Sequence, residues 1–102
     1  MIIIGSEFVP YERPQISDFT RFNLEKKSNF MYIKNKAEAV MANANGIGFL
    51  VCENISFARQ LQAIANDYLF DSKIALIIKD DDELNDAIDA RIDAVIYKSS
   101  IY

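Results

Sequence analysis

Five charged residues stand where this sequence passes from apolar runs into polar ones: Glu7, Glu53, Lys79, Asp80 and Lys98. Carboxylates and a lysine gathered at one place can serve as acid, base and electrostatic stabiliser, or can balance a charged ligand. Other chemistries are closed off. The chain has no histidine, so the commonest base near neutral pH is missing, together with Ser-His-Asp and Cys-His arrangements and most zinc sites. The single cysteine, Cys52, ends an apolar run. A reactive thiolate needs electropositive neighbours, so Cys52 reads as a buried core thiol. A lone cysteine also excludes an internal disulfide framework and fits a reducing, cytoplasmic compartment. No metal and no cofactor are expected.

The elements that would position these residues alternate from Asn29 onward. Phe30 to Lys34, Ile47 to Cys52, Lys73 to Ile78 and Ala94 to Tyr97 are short apolar or β-rich runs, and Met1 to Ile4 is a fifth. Continuous apolar runs of this length mark strands buried on both faces. Helices are expected between them. Asn35 and Glu38 have capping-box spacing, followed by Ala37, Val40, Met41 and Ala44 as an apolar stripe and by Asn45-Gly46 as a stop. A second helix is expected from about Ile55 to Phe70, with Ile55, Ala58, Leu61, Ala65 and Tyr68 on one side. A third runs from Asp80 to Ile92, with Leu84, Ala87, Ile88 and Arg91 in register and Asp80 and Glu83 again at capping-box spacing. Between Ser6 and Ser28, Pro10 and Pro14 break the pattern, and Ile16, Phe19 and Phe22 suit a short helix after Pro14. Strands alternating with helices over short joints imply right-handed crossovers onto an open, mostly parallel sheet.

Length and composition agree with one α/β domain over residues 1–102. Hydrophobic residues make up 51% and charged residues 25% of the 102, enough to bury a core without staples. No apolar run approaches the roughly 18 residues that cross a bilayer, and Met1 to Ile4 is too short to be a signal peptide. No membrane association is expected. The net charge of −4 repels phosphate backbones, so no nucleic-acid partner is expected either. Lys26-Lys27, the only adjacent basic pair, reads as a solvated helix end.

Ligands of open parallel sheets bind at the carboxyl ends of the strands. Those ends gather Ser6 and Glu7, Glu53, Lys79 and Asp80, and Lys98, Ser99 and Ser100. They are either a charge-balanced site or ordinary polar residues where strands meet solvent.

Several of these stretches resemble the receiver domain of bacterial response regulators. Asn35-Lys36-Ala37-Glu38-Ala39-Val40 is similar to a helix start of that family, and Gly48 to Glu53 to the strand that ends in its phosphorylated aspartate. Asp93 to Lys98 resembles the last strand with its near-invariant lysine, and Met1 to Glu7 stands where the family has its first strand and acidic pair. The resemblance implies a flavodoxin-like open parallel five-stranded sheet with flanking helices, the last helix missing, in a cytoplasmic signal-transduction module. It also implies a degenerate phosphoacceptor edge of Ser6, Glu7, Glu53 and Lys98. The acidic pair is reduced to Glu7, a poor magnesium site. Glu53 replaces the phosphoacceptor aspartate, the switch hydroxyl falls on Ile77 or Ile78, and the aromatic switch position falls on Val95. Only Lys98 matches outright, and it reads equally as a solvated lysine at a strand end.

These departures imply a phosphorylation-independent interaction or dimerisation module rather than an enzyme. With the last helix missing, one sheet face would be partly bare. A homodimer or a protein partner docked through Phe19, Phe22 and the last strand is therefore expected. Two alternatives stay open. Lys73 to Ser99 resembles the later half of nucleotide-binding domains that regulate potassium transport, although Gly5-Ser6-Glu7-Phe8 lacks the Gly-rich fingerprint. The other is a small enzyme using Glu7, Glu53 and Lys98.

Overall fold

A computed structural model describes residues 1–101. Six strands and four helices, alternating from β2 onward, are formed by the described residues: β1 (Ile2–Ile4), β2 (Ile16–Ser17), α1 (Arg21–Lys26), β3 (Phe30–Tyr32), α2 (Lys36–Ala44), β4 (Phe49–Cys52), α3 (Ile55–Asp67), β5 (Lys73–Ile78), α4 (Asp81–Asp89) and β6 (Ala94–Tyr97). A single 3-10 turn, Lys98–Ser100, follows β6. All strand pairs are parallel, and the sheet order is β1-β6-β5-β4-β3-β2.

The parallel α/β sheet is as expected, and two details are corrected. There are six strands, not five, because Ile16 and Ser17 pair with Phe30 and Met31 instead of starting a helix. The order also departs from the flavodoxin-like 2-1-3-4-5, in which the first strand is central. Here β1 is an edge strand paired with β6, Ile2 opposite Ala94 and Ile4 opposite Ile96.

The order explains the layers. From β2 to β6 each crossover moves one strand in the same direction. Right-handed crossovers that all step one way place their helices on one face. The helix-side core accordingly joins Met31, Leu50, Cys52, Ile74, Leu76, Ile78 and Val95 to Ala39, Ala42, Ala58, Leu61, Ala65 and Ala87 of the helices. The other face holds Ile4, Val51, Ala75, Ile77, Ala94 and Ile96, and no helical residue joins it.

That second face is nonetheless buried. Ile2 to Ile4 of one edge strand and Ser17 of the other line the same cleft, so the sheet curls toward its helix-free side. Ala75 and Ala94, register partners on this concave face, leave room for the curl. Residues 5–15 carry the chain between the two edges as a strap. It is anchored at Gly5, whose φ is +99° and where an added Cβ would lie 2.7 Å from the Ser100 Cβ. Arg13 Nη2 donates to the Ile101 carbonyl at 3.0 Å, Pro14 is buried, and Ile101 packs on the concave face.

Helix starts follow side-chain caps. Asn35 and Asp80 accept from the N–H of Glu38 and Glu83 at 2.9 and 3.0 Å, while the two glutamates accept from the N–H of Lys34 and Lys79. The cap half of each expected capping box is therefore present, while the return bond from the glutamate goes to the N–H one residue before the cap instead of to the cap's own N–H. Thr20 and Asn54 cap α1 and α3 in the same way.

Helix faces were less legible. In α2 the stripe Ala37, Val40, Met41 and Ala44 is exposed, and Ala39 and Ala42 are buried. Asn43, on the inner side with them, accepts from the Ser72 N–H at 3.1 Å. That bond and the two small alanines set the rotation of the helix against the sheet. Tyr68 and Ile88, also expected inward, are exposed. Phe19 precedes α1 and packs on the helix-side core, whereas Phe22 is exposed with Lys26 Nζ 5.8 Å from its ring centroid. β6 lies between β1 and β5 with Ala94, Val95 and Ile96 buried. Of the residues expected to form a docking face, Phe22 is therefore exposed, while Phe19 packs with Val95 on the helix-side core and Ala94 and Ile96 are buried on the other face.

The α2 orientation is checked by substitution. Ala42→Leu overpacks the helix–sheet contact and should cost about 1–3 kcal/mol in urea unfolding. Val40→Ser, on the face that periodicity favoured as inner, should stay within about 0.5 kcal/mol.

Candidate functional site at the carboxyl edge of the sheet

β4, β5 and β6 are adjacent and parallel, so the residues that follow them emerge at one edge. Glu53, Lys79 and Lys98 meet there, joined by Glu83 from α4, over a floor formed by Ile77. The cleft holds about 150 Å³. A neighbouring hollow of about 230 Å³ lies between Asn54, Ile55, Leu76, Ile78 and Asp86 and shares Glu53, Ile77 and Glu83. Two acidic and two basic residues thus line one small volume.

Other edge residues do different work. Asp80 is occupied as the α4 cap, and Glu83 accepts from the Lys79 N–H. Ser100 is buried and its Oγ donates to the Tyr97 carbonyl at 2.7 Å, while Ser99 is exposed. Ser6 and Glu7 do not line the cleft. β5 and β6 stand between β1 and β4, and Ser6 Oγ accepts from the Phe8 N–H within its own turn. The structure brings Glu53 and Lys98 together and leaves Ser6 and Glu7 apart.

What this cleft can do is limited. Its volume falls below the roughly 300–1,000 Å³ of ordinary small-molecule sites. Among the described residues no group of three histidine, cysteine or acidic side chains is placed to hold a metal ion. Ile77 offers no hydroxyl where a phosphoryl oxygen would need one. Cys52 is buried just behind, and burial pushes its thiol up to about 12, with the N–H of Asn54 opposing and the Glu53 charge adding. It is no nucleophile near neutral pH.

The sequence did not disclose a larger cleft at the opposite end of the sheet, about 600 Å³ in volume. Tyr11, Arg13, Lys26, Lys27, Ser28 and Asn29 line it together with Phe30, Phe49 and the β1 edge. Phe30 and Phe49 stack at 4.5 Å between centroids with planes 10° apart. The only signal in the sequence was Lys26-Lys27, which reads as a solvated helix end until the sheet curls around it.

Comparison with family models and with curated proteins finds no match for this chain. Among the described residues no helix is long and apolar enough to cross a membrane.

One contact beside the carboxyl-edge cleft makes a pH prediction. Tyr97 Oη donates to Asp81 Oδ1 at 2.6 Å, and that bond, with the charges of Asp81 and Asp80, pushes the phenol up to about 12. The sign follows because the phenolate would lose its acceptor and face two carboxylates. Ultraviolet titration should show one tyrosine still protonated above pH ~11, and Asp81→Asn should return it toward about 10.

Proposed function

We propose that this chain is a regulatory or protein-interaction module that works without phosphotransfer and associates with a second copy of itself. The observation that carries the reading is Leu69. This residue is 85% exposed and sits at φ 53°, in the left-handed region. A bulky apolar side chain gains nothing from water, and the backbone conformation costs an L-residue about 1–2 kcal/mol. The conformation is the left-handed cap that ends α3, with the Phe70 N–H on the Ala65 carbonyl. Glycine would be cheaper there on both counts, so it is the exposed apolar side chain that points to a contact. Tyr68 beside it is 75% exposed.

A second apolar surface lies on α2. The outward row of α2, Ala37, Val40, Met41 and Ala44, is exposed. The Asn43–Ser72 bond ties α2 to the segment that follows α3. Beyond Lys36 and Glu38 the helix carries no charge, so two copies can set these rows against each other without like-charge repulsion, as a two-fold interface requires.

We keep the module receiver-like, a reading supported by the alternating elements and by Glu53 and Lys98 lining one cleft. The sheet order speaks against common receiver topology, and the distance of β1 from β4 speaks against a magnesium site. On this reading titration with magnesium and beryllofluoride leaves the amides of Glu7, Glu53 and Lys98 unmoved. Saturable shifts there would restore phosphotransfer chemistry.

The association is tested by sedimentation equilibrium. Leu69→Gly should raise stability by roughly 0.5–1 kcal/mol and weaken self-association, and Met41→Lys should weaken it further. A wild-type chain that stays monomeric at several hundred micromolar, or a dimer indifferent to both substitutions, rules out this interface.

A further inference from the structure

We propose that the 600 Å³ cleft between the two sheet edges is a binding site for a small organic anion with an aromatic or apolar body. The inference goes beyond the interaction role and does not depend on it.

Three observations converge. The first is charge. The chain carries fifteen acidic against eleven basic residues, yet this cleft is lined by Arg13, Lys26 and Lys27 against Glu12 alone. The local balance is the reverse of the whole molecule, with Arg13 and Lys27 its main charges because the Lys26 Nζ sits over the Phe22 ring outside the cleft. A net-positive concave wall concentrates the opposite ion. Arg13 uses one Nη2 donor on the Ile101 carbonyl and keeps further donors for a carboxylate or phosphate.

The second is an unpaired hydroxyl. Ser28 Oγ is buried and has no hydrogen-bond partner among the described residues, and Ser28 lines the cleft. A buried polar atom left unpaired costs free energy, and native structures seldom keep one without a use. A ligand oxygen would supply the partner once the Ser28 side chain turns toward the cleft that its residue lines.

The third is the apolar wall. The stacked Phe30 and Phe49 rings and Ile2 to Ile4 of β1 flank the same volume. Apolar walls with a few convergent polar groups are the usual composition of small-molecule sites, and the volume lies within their range. The site stands at the amino ends of β3 and β4, opposite the edge that parallel sheets ordinarily use. It exists because the curl brings the unpaired edge of β1 toward that of β2.

The test uses 8-anilinonaphthalene-1-sulfonate and its uncharged counterpart N-phenyl-1-naphthylamine as probes of the whole chain, followed by fluorescence and amide NMR. The sulfonate should bind one saturable site, shift the amides of Ser28 to Phe30 and of Phe49, and bind about tenfold more tightly than the neutral probe. Two variants separate binding from folding. Lys27 has φ 58°, so Lys27→Gly removes the charge while suiting the backbone. Ser28→Ala removes the unpaired oxygen. Each should leave stability unchanged or raised and weaken the sulfonate several-fold, whereas Lys98→Ala at the other edge should change nothing. Equal affinity for the two probes, shifts confined to α2 or Tyr68 and Leu69, indifference to both variants, or no saturable binding would overturn the proposal.

Discussion

Two parallel neighbours in a sheet can be joined only if the chain travels back along the sheet before the second strand begins, and that return is right-handed. In this protein four returns in succession step the same way, from β2 through to β6. Everything else in the architecture follows from that repetition. Among the described residues all the helices share one face, and the opposite face has no helix to cover it. A flat sheet would leave Val51, Ala75, Ile77 and Ile96 in water. Instead the sheet curls and the strap of residues 5–15 closes over the opening, with Gly5 against Ser100 and Arg13 on Ile101.

The same winding separates the two ends of the molecule. At the carboxyl edge, adjacent strands deliver Glu53, Lys79 and Lys98 into one small cleft. The strand bearing Glu7 is sent to the sheet edge, beyond β6 and β5. A constellation that depends on the first strand lying beside the third strand of the βα series is therefore not built. At the amino edge the curl creates a cleft that no pair of adjacent strands could make. Its walls come from residues as distant in the chain as Ile2 and Phe49.

Polar side chains hold the amino edge in register. Gln62 is buried and its Oε1 accepts from the Asp93 N–H, while Asp93 Oδ2 accepts from the Ile74 N–H, each at 3.0 Å. Ser72 Oγ donates to the Ile47 carbonyl. These bonds tie α3, β5 and the approach to β6 together where the ladder begins. They also satisfy backbone groups that would otherwise be buried alone. Their presence explains why Asn43, and with it the whole of α2, is turned toward Ser72.

The sequence alone determined the local structure and the class. Apolar runs located β5 and β6 to the residue, capping residues located the starts of α2 and α4, and the alternation of elements established a parallel α/β sheet. The absence of histidine and the lone buried cysteine narrowed the chemistry before any fold was known. Tertiary structure decided what these signals do not carry. Ile16 and Ser17 become a strand only because β3 is there to pair with them. In α2 both helix faces are apolar, so periodicity cannot choose between Val40 and Ala39, and close approach to the sheet selects the smaller side chain. Sheet order leaves no trace in local pattern, since a right-handed crossover looks the same whether it leads to a central or an edge position. Whether Glu7 meets Glu53, and whether Lys27 and Ser28 face a cleft, were settled by that order.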